Sequence, residues 1–231
     1  MINVILMSGK GRRFSDKGYL EPKPLINVKN RMMFEYSLSH FKQPDKYVFV
    51  VNQNINSHKK FTNFIDSFNF EKEVISFDKI TNGQATSLFK SITQYDDDEQ
   101  LFVSSCDVSF NKVEDIDLQK NIIFTTRPTK HHLKNSKSFG WAYKKNGQVN
   151  VSCKKFPKFN DDPSVVIGCF YFSSIYEFKS SYSEMVSRKF MTNNEYYLDN
   201  LFNFNPVKKN AIIYNVKNYK SYGSPEELKQ S

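Results

Sequence analysis

Through the first hundred residues, short apolar runs alternate with segments whose apolar residues recur at helical spacing. The runs are Ile2–Met7, Tyr47–Val51, Val74–Phe77 and Leu101–Ser104, each of strand length. Between them, Met33–Phe41 puts Phe34, Ser37, Leu38 and Phe41 on one helical face, and Phe61–Phe68 does so with Phe61, Phe64, Ile65 and Phe68. Ala85–Thr93 turns Leu88, Phe89 and Ile92 inward. This βαβαβαβ order predicts a mostly parallel sheet with helices on both faces.

After about residue 120 the pattern changes. Ile122–Thr125, Trp141–Tyr143, Val149–Val151 and Val165–Phe172 are strand-like, with the hairpin signal Asn146-Gly147 between two of them. A small antiparallel extension facing the substrate is expected. Ser181–Arg188 and Glu195–Phe202 read as helices, Ile212–Val216 as a late strand and Ser224–Lys229 as a terminal helix. In that helix Ser224 and Glu227 make a capping box, with Pro225 in the first turn. No repeat or low-complexity linker breaks the chain, so its 231 residues are expected to form one domain.

Lys and Arg number 33 against 24 Asp and Glu, a net charge of +9. That excess fits solvated surface lysines or attraction to phosphate-rich ligands or nucleic acid, and because the cations are scattered rather than gathered into a stripe, nucleic acid is disfavoured. Cys106, Cys153 and Cys169 are odd in number and lack CxxC spacing, so they read as reduced thiols of a cytoplasmic protein. The opening apolar run is too short for a membrane span and lacks the basic flank of a signal peptide.

The first strand opens into Ser8-Gly9-Lys10-Gly11-Arg12-Arg13-Phe14, followed by Glu21-Pro22-Lys23-Pro24-Leu25. Gly9 and Gly11 are two of only eight glycines, and they flank a lysine. Glycine lets backbone amides turn toward an anion, and the start of a helix adds positive dipole. A Walker loop is absent, and a dinucleotide fingerprint would need glycine where Phe14 stands. What remains is a G-x-G-x-R-F loop with a lysine held between two prolines, an arrangement suited to a nucleoside triphosphate.

These residues resemble the signature of the sugar-phosphate nucleotidylyltransferases (nucleotide-sugar pyrophosphorylases). The resemblance continues through Gly83-Gln84-Ala85, Cys106-Asp107, Gly168-Cys169-Phe170-Tyr171, Glu195-Tyr196-Tyr197-Leu198-Asp199 and Gly223-Ser224-Pro225-Glu226-Glu227-Leu228. It implies a nucleotide-diphospho-sugar transferase fold of the GT-A, Rossmann-like type: a mostly parallel mixed sheet flanked by helices. Residues 1–118 would bind nucleotide and 119–231 the acceptor. The implied reaction joins an NTP to a sugar 1-phosphate and releases pyrophosphate, in the service of surface polysaccharide.

Both reactants are anions, so positioning and charge compensation are the main needs. Arg13 suits the leaving pyrophosphate, because its guanidinium matches paired phosphate oxygens. Lys23 suits the α-phosphate or the acceptor phosphate. By resemblance Met7, Ser8, Gly9, Lys10 and Gly11 line the nucleotide, and Gly83 and Gln84 meet the base. Asp107 and Asp199 would bind Mg²⁺, which asks for one or two carboxylates besides phosphate oxygens and water. Lys154, Lys155 and Lys158 compete for the acceptor phosphate, with Lys155 favoured. Gly168 would let the acceptor approach the backbone. Ser8 and Arg12 depart from the family pattern. His131-His132 reads as surface.

The expected partners are an NTP and a phosphorylated small molecule, with no nucleic acid and no membrane span, in a monomer or homodimer. Three rival readings stand beside this one: CTP with a non-sugar phosphate, a glycosyltransferase of the same fold, and a silent nucleotide-binding regulator. Asp107-Val108-Ser109 lacks the second acid of a D-x-D motif, and Arg13, Lys23, Asp107 and Asp199 are all present, which disfavours the last two.

Overall fold

The computed structural model describes residues 1–41, 44–157 and 162–230. The chain divides into two compact units. Met1–Ile80, Ser104–Glu114 and Asn218–Ser231 form the first, and Thr81–Val103 and Asp115–Lys217 the second.

In the first unit, β1 (Ile2–Leu6) pairs parallel with β2 (Lys46–Asn52), which pairs parallel with β3 (Lys72–Phe77). Val48, Phe49, Val50 and Val51 are all 0% exposed, as the middle of a covered parallel sheet requires. The crossover after β2 is α2 (Gln53–Asn56) followed by α3 (Lys59–Ser67). Phe61 and Phe64 meet Phe34 and Phe49 edge-on, and Phe68 meets Phe49, in one cluster with Ile5, Leu25 and Val51. These are the apolar positions whose spacing predicts helix and strand, so pattern and packing agree. Phe14 and Tyr222 share a second cluster with Ile26, Val28 and Met33.

The helix expected over Met33–Phe41 is a 3₁₀ helix, Met33–Ser39. The hydroxyls of Ser37 and Ser39 donate to the Phe34 and Tyr36 carbonyls, three residues back, which suits the tighter turn.

The second unit takes the first three residues of β4 (Leu101–Ser105), and β5 (Asn121–Thr126), β6 (Gly140–Lys145), β7 (Gln148–Cys153), β8 (Ser164–Phe172) and β9 (Ala211–Asn215). β6 and β7 form the expected hairpin; Asn146 and Gly147 have φ of 52° and 75°, both left-handed as a type I′ turn demands. β8 runs antiparallel to β4, β5 and β6. β9 pairs parallel with β5. Parallel ladders in one unit and mainly antiparallel ladders in the other give the mixed, helix-flanked α/β architecture that the pattern predicts.

Four further expectations are corrected. Glu195–Phe202 is not an α-helix: Thr192 and Glu195 close a turn through Asn193 and Asn194, at φ of 50° and 60°, and a 3₁₀ helix follows over Asp199–Asn203. Two left-handed asparagines commit the chain to a turn where apolar spacing alone suggests helix. The helix expected over Ser181–Arg188 is the later part of a longer one, Ile175–Ser187, capped by Ser174. The terminal helix, Pro225–Lys229, has half a capping box: Ser224 Oγ accepts from Glu227 N at 3.2 Å, while the Glu227 carboxylate takes its bond from Ser221. His132 is buried and bonds to Thr129 at a helix start, against the surface role expected of it; His131 is exposed.

Candidate active site

The cationic loop lies at the C-terminal end of β1, where open α/β sheets receive ligands. Gly11 has φ 63° and ψ 22°, a left-handed conformation that an L side chain adopts only at a cost. Space is tight there as well: a Cβ on Gly11 would sit 3.1 Å from Lys23 Cβ, which would have to give way by a few tenths of an ångström. Gly9 has open space around it and no positive φ, so its glycine is not forced. The helix that follows, α1 (Arg12–Ser15), is a single turn. Its dipole is small, so the loop's cations carry the local charge. Met7 turns into the core at 2% exposure and spends its amide on Val50 O at 2.7 Å, leaving little of it to face a nucleotide.

Lys23 begins a short 3₁₀ turn, Lys23–Leu25, with Pro22 before it and Pro24 within it. Its ammonium bonds to Asp107 Oδ2 and lies 5.9 Å from the Phe14 ring centroid. The two side chains are 18% and 19% exposed, enough for a ligand to reach them. Burial alone would lower the Lys23 pKa, but the charge and hydrogen bond of Asp107 outweigh it and raise it. Burial alone would raise that of Asp107; the charge and bond of Lys23, a bond from Ser105 Oγ and the charge of Arg13 together hold it below the ordinary carboxylate value. Arg13 is exposed and donates from Nη1 to Gly223 O at 3.4 Å. Gly11, Arg13, Lys23 and Asp107 are thus one cluster within the first unit. Cys106 beside them is no nucleophile: burial, then the Asp107 charge, push its thiol up to about 12.

Next to the loop, Ser8, Lys10, Asn52, Gln53, Asn54, Phe77 and Asp78 line a cavity of about 320 Å³, within the size range of small-molecule sites. It sits where β1, β2 and β3 end. Asn52 Nδ2 donates to Ser8 O and Gly9 O at 3.5 and 3.3 Å, and its Oδ1 accepts from Ile55 N at 3.1 Å. One amide therefore ties the cationic loop to the start of α2. Sequence reasoning missed Asn52 as a site residue; the signal was an asparagine between an apolar strand and a helix, the position of an N-cap.

The remaining candidates belong to the second unit. Gly83 (φ 109°) caps α4 (Gln84–Ser91), and a Cβ there would meet Tyr196 O at 2.5 Å. Ala85 N donates to Tyr196 O and Tyr196 N to Asn82 O, at 3.0 and 2.8 Å. Packing against Tyr196 is therefore reason enough for glycine. Gln84 is exposed. Asp199 is 8% exposed, and a Cβ on Gly140 would stand 2.2 Å from its Oδ2. Burial raises the Asp199 pKa, against its own backbone bond, the Lys154 charge and the Cys153 thiol. Lys155 is exposed, whereas Lys154 is half-buried: its Nζ donates to Ser138 O and lies 5.6 Å from the Tyr197 ring centroid, and its charge is felt at Asp199. Lys158 lies outside the described residues. Gly168 (φ 79°) sits where the β8–β5 register shifts, so a bulge accounts for it.

The fold is α/β, and the cation cluster at the end of its first unit's parallel strands suits a phosphate-bearing ligand. More narrowly, residues 3–118, half of the chain, match the family described as MobA-like NTP transferase domain, and the chain belongs to that family. It is accordingly a nucleotidyltransferase. No curated protein matches in sequence. Among solved structures, the chain resembles the nucleoside-diphosphate-sugar pyrophosphorylase from Vibrio cholerae RC9, with 18% identity, 100% of this chain and 98% of that one covered, and a TM-score of 0.78. The inositol-1-phosphate CTP transferase from T. maritima gives 16% identity, coverage of 98% and 90%, and a TM-score of 0.69. A UDP-glucose pyrophosphorylase solved with UDP-glucose gives 13%, 99% and 95%, and 0.72. At such identities the likeness speaks for the fold. No helix among the described residues is long and apolar enough to cross a membrane.

Proposed function

We propose that this nucleotidyltransferase joins an NTP and a sugar 1-phosphate into an NDP-sugar and pyrophosphate. The observation that carries this reading is the cluster of Gly11, Arg13, Lys23 and Asp107, which offers two cations and one ionised carboxylate at the end of a parallel sheet. An acceptor phosphate oxygen attacks the α-phosphorus; a new P–O bond forms, the α–β bridging bond breaks, and its electron pair leaves on pyrophosphate. Lys23 offsets charge at the α-phosphate, and Arg13 grips the pyrophosphate through paired N–H donors. Lys10 adds charge beside the cavity, where Ser8 and Lys10 bear on the nucleotide. In the second unit, Gln84 is the candidate for base contact, and Lys154 joins Lys155 as a candidate for the acceptor phosphate.

Asp107 fits Mg²⁺: it is ionised, reachable, and each of its oxygens holds one donor and keeps lone-pair capacity. Among the described residues, no three His, Cys, Asp or Glu side chains converge as a metal site, so phosphate oxygens and water would complete the shell. A bound Mg²⁺ supplies charge neutralisation on the triphosphate. Asp199 is the candidate for a further carboxylate.

Pyrophosphate release is the assay: four NTPs and dTTP, each against a panel of sugar 1-phosphates and of phosphorylated alcohols and amino compounds. One nucleotide should respond only when a sugar 1-phosphate is present. A response confined to CTP with a non-sugar phosphate would move the acceptor class, and silence across the panel would refute the reading. Lys23→Ala should lower turnover at least about a hundredfold, the loss of one preorganised charge contact.

A further inference from the structure

We propose that Glu227 is a positioning residue for Arg13, acting through the turn at Gly223, so that the C-terminal segment is a working part of the phosphate site. This rests on the reading of Arg13 as a phosphate ligand. The segment lies beyond the 3–118 stretch that matches the family. Lys220–Ser221 pairs antiparallel with Val108–Ser109, directly after Asp107. Tyr222 N donates to Asp107 O at 2.7 Å, and Tyr222 and Ser109 share a hydroxyl bond of 2.7 Å. The backbone is thereby anchored beside the acid, and it turns at Gly223, whose carbonyl receives Arg13 at 3.4 Å.

A relay of side-chain bonds holds that turn. Ser221 Oγ donates to Glu227 Oε2 at 3.0 Å and accepts from Gly223 N at 3.3 Å. Ser224 Oγ accepts from Glu227 N at 3.2 Å and so sets where the glutamate begins. The carboxylate thus controls the peptide next to the carbonyl that Arg13 uses. Among the described residues no carboxylate pairs with Arg13 itself. An exposed arginine has many rotamers to give up on meeting a ligand; a carbonyl held in place narrows them beforehand. Space around Gly223 is tight as well, since a Cβ there would lie 3.1 Å from Glu227 Oε2 and 3.3 Å from Asp107 Oδ2.

The test is calorimetric titration of inorganic pyrophosphate with Mg²⁺ into the full-length protein and its Arg13→Ala, Glu227→Ala, Glu227→Gln and Ser221→Ala variants. Glu227→Ala and Ser221→Ala should each weaken binding about threefold to tenfold, the worth of one hydrogen bond. Glu227→Gln keeps an acceptor oxygen and should stay within about twofold of the parent. In an Arg13→Ala background, Glu227→Ala should cost nothing more, because neighbours in one network are non-additive. Wild-type affinity in Glu227→Ala or Ser221→Ala would overturn the proposal. So would full additivity with Arg13→Ala. A Glu227→Gln as weak as the alanine variant would overturn it too, since charge rather than acceptance would then matter. Should Arg13→Ala itself bind normally, the phosphate role of Arg13 is what fails.

Discussion

Lys23 and Asp107 neutralise each other in the site proposed above to receive a polyanion. The sign of each shift tells when the pair holds. Lys23 titrates above 10.5, so its contribution to stability is complete below that value and fades as pH rises through the native one. Asp107 titrates below 3.8, so its contribution is present above that value and is lost as pH falls through the native one. Across the neutral range both stay charged, and a phosphate that takes over the ammonium leaves a ready carboxylate behind. Gly11 sets where that ammonium starts. Gly11→Ala brings about 1–2 kcal/mol of backbone strain and a methyl that presses on Lys23 Cβ, so turnover should fall about tenfold with some loss of thermal stability. Gly9→Ala has open space and should keep near-parental turnover. Equal turnover in the two variants would remove Gly11 from the argument.

At the scale of elements, what was legible in sequence was what depends on local pattern. Apolar runs located β1 through β4, and an Asn-Gly pair located the β6–β7 hairpin, because burial and turn chemistry act on neighbours. Met33–Ser39 and the turn at Asn193-Asn194 were not legible: serine hydroxyls and left-handed asparagines overrode a spacing that suited α-helix. The cluster itself was half legible. Arg13, Lys23 and Asp107 announce their charge in the sequence, whereas the Gly223 carbonyl is backbone brought in from 210 residues away. Asn52 shows the same limit, for its N-cap role reads locally but its reach to Ser8 and Gly9 depends on β1 lying beside β2. Asn52→Ala should cost about 1 kcal/mol through the lost cap. It should also raise the KM for NTP several-fold with little change in kcat, since the loop is freed while Lys23 and Asp107 are untouched. Asn52→Asp keeps the cap but loses the donor to the loop carbonyls, so stability should return and KM should not. A KM that recovers with the aspartate would place the whole effect in the helix.

On the scale of the molecule, one buried imidazole ties acid stability to the site. His40 is 0% exposed, stacks on Phe110 at 4.0 Å between centroids, and its Nε2 meets Val108 O at 3.1 Å. Its own carbonyl accepts from Val113 N at 3.0 Å, so it pins the stretch just after Asp107. Among the described residues Nδ1 has no partner, and the Val108 carbonyl, which can only accept, places the proton of the neutral ring on Nε2. Burial pushes its pKa from 6.5 down to about 3, against the pull of the Val108 carbonyl. The unfolded chain therefore takes up a proton below about 6.5 that the native chain refuses until about 3, and stability falls with pH through that window. The slope approaches about 1.4 kcal/mol per pH unit for one proton. His132, lowered by burial, acts in the same direction, and Asp199, raised by burial, acts against it. A difference measurement isolates His40: urea unfolding of the wild type and His40→Phe between about pH 4.5 and 6.5. The variant should start less stable, having lost the Val108 bond, yet its stability should fall less steeply with acid, by up to one proton's worth. Parallel slopes would mean that the imidazole is protonated in the native state, and the tie between acid unfolding and the segment holding Asp107 would be gone.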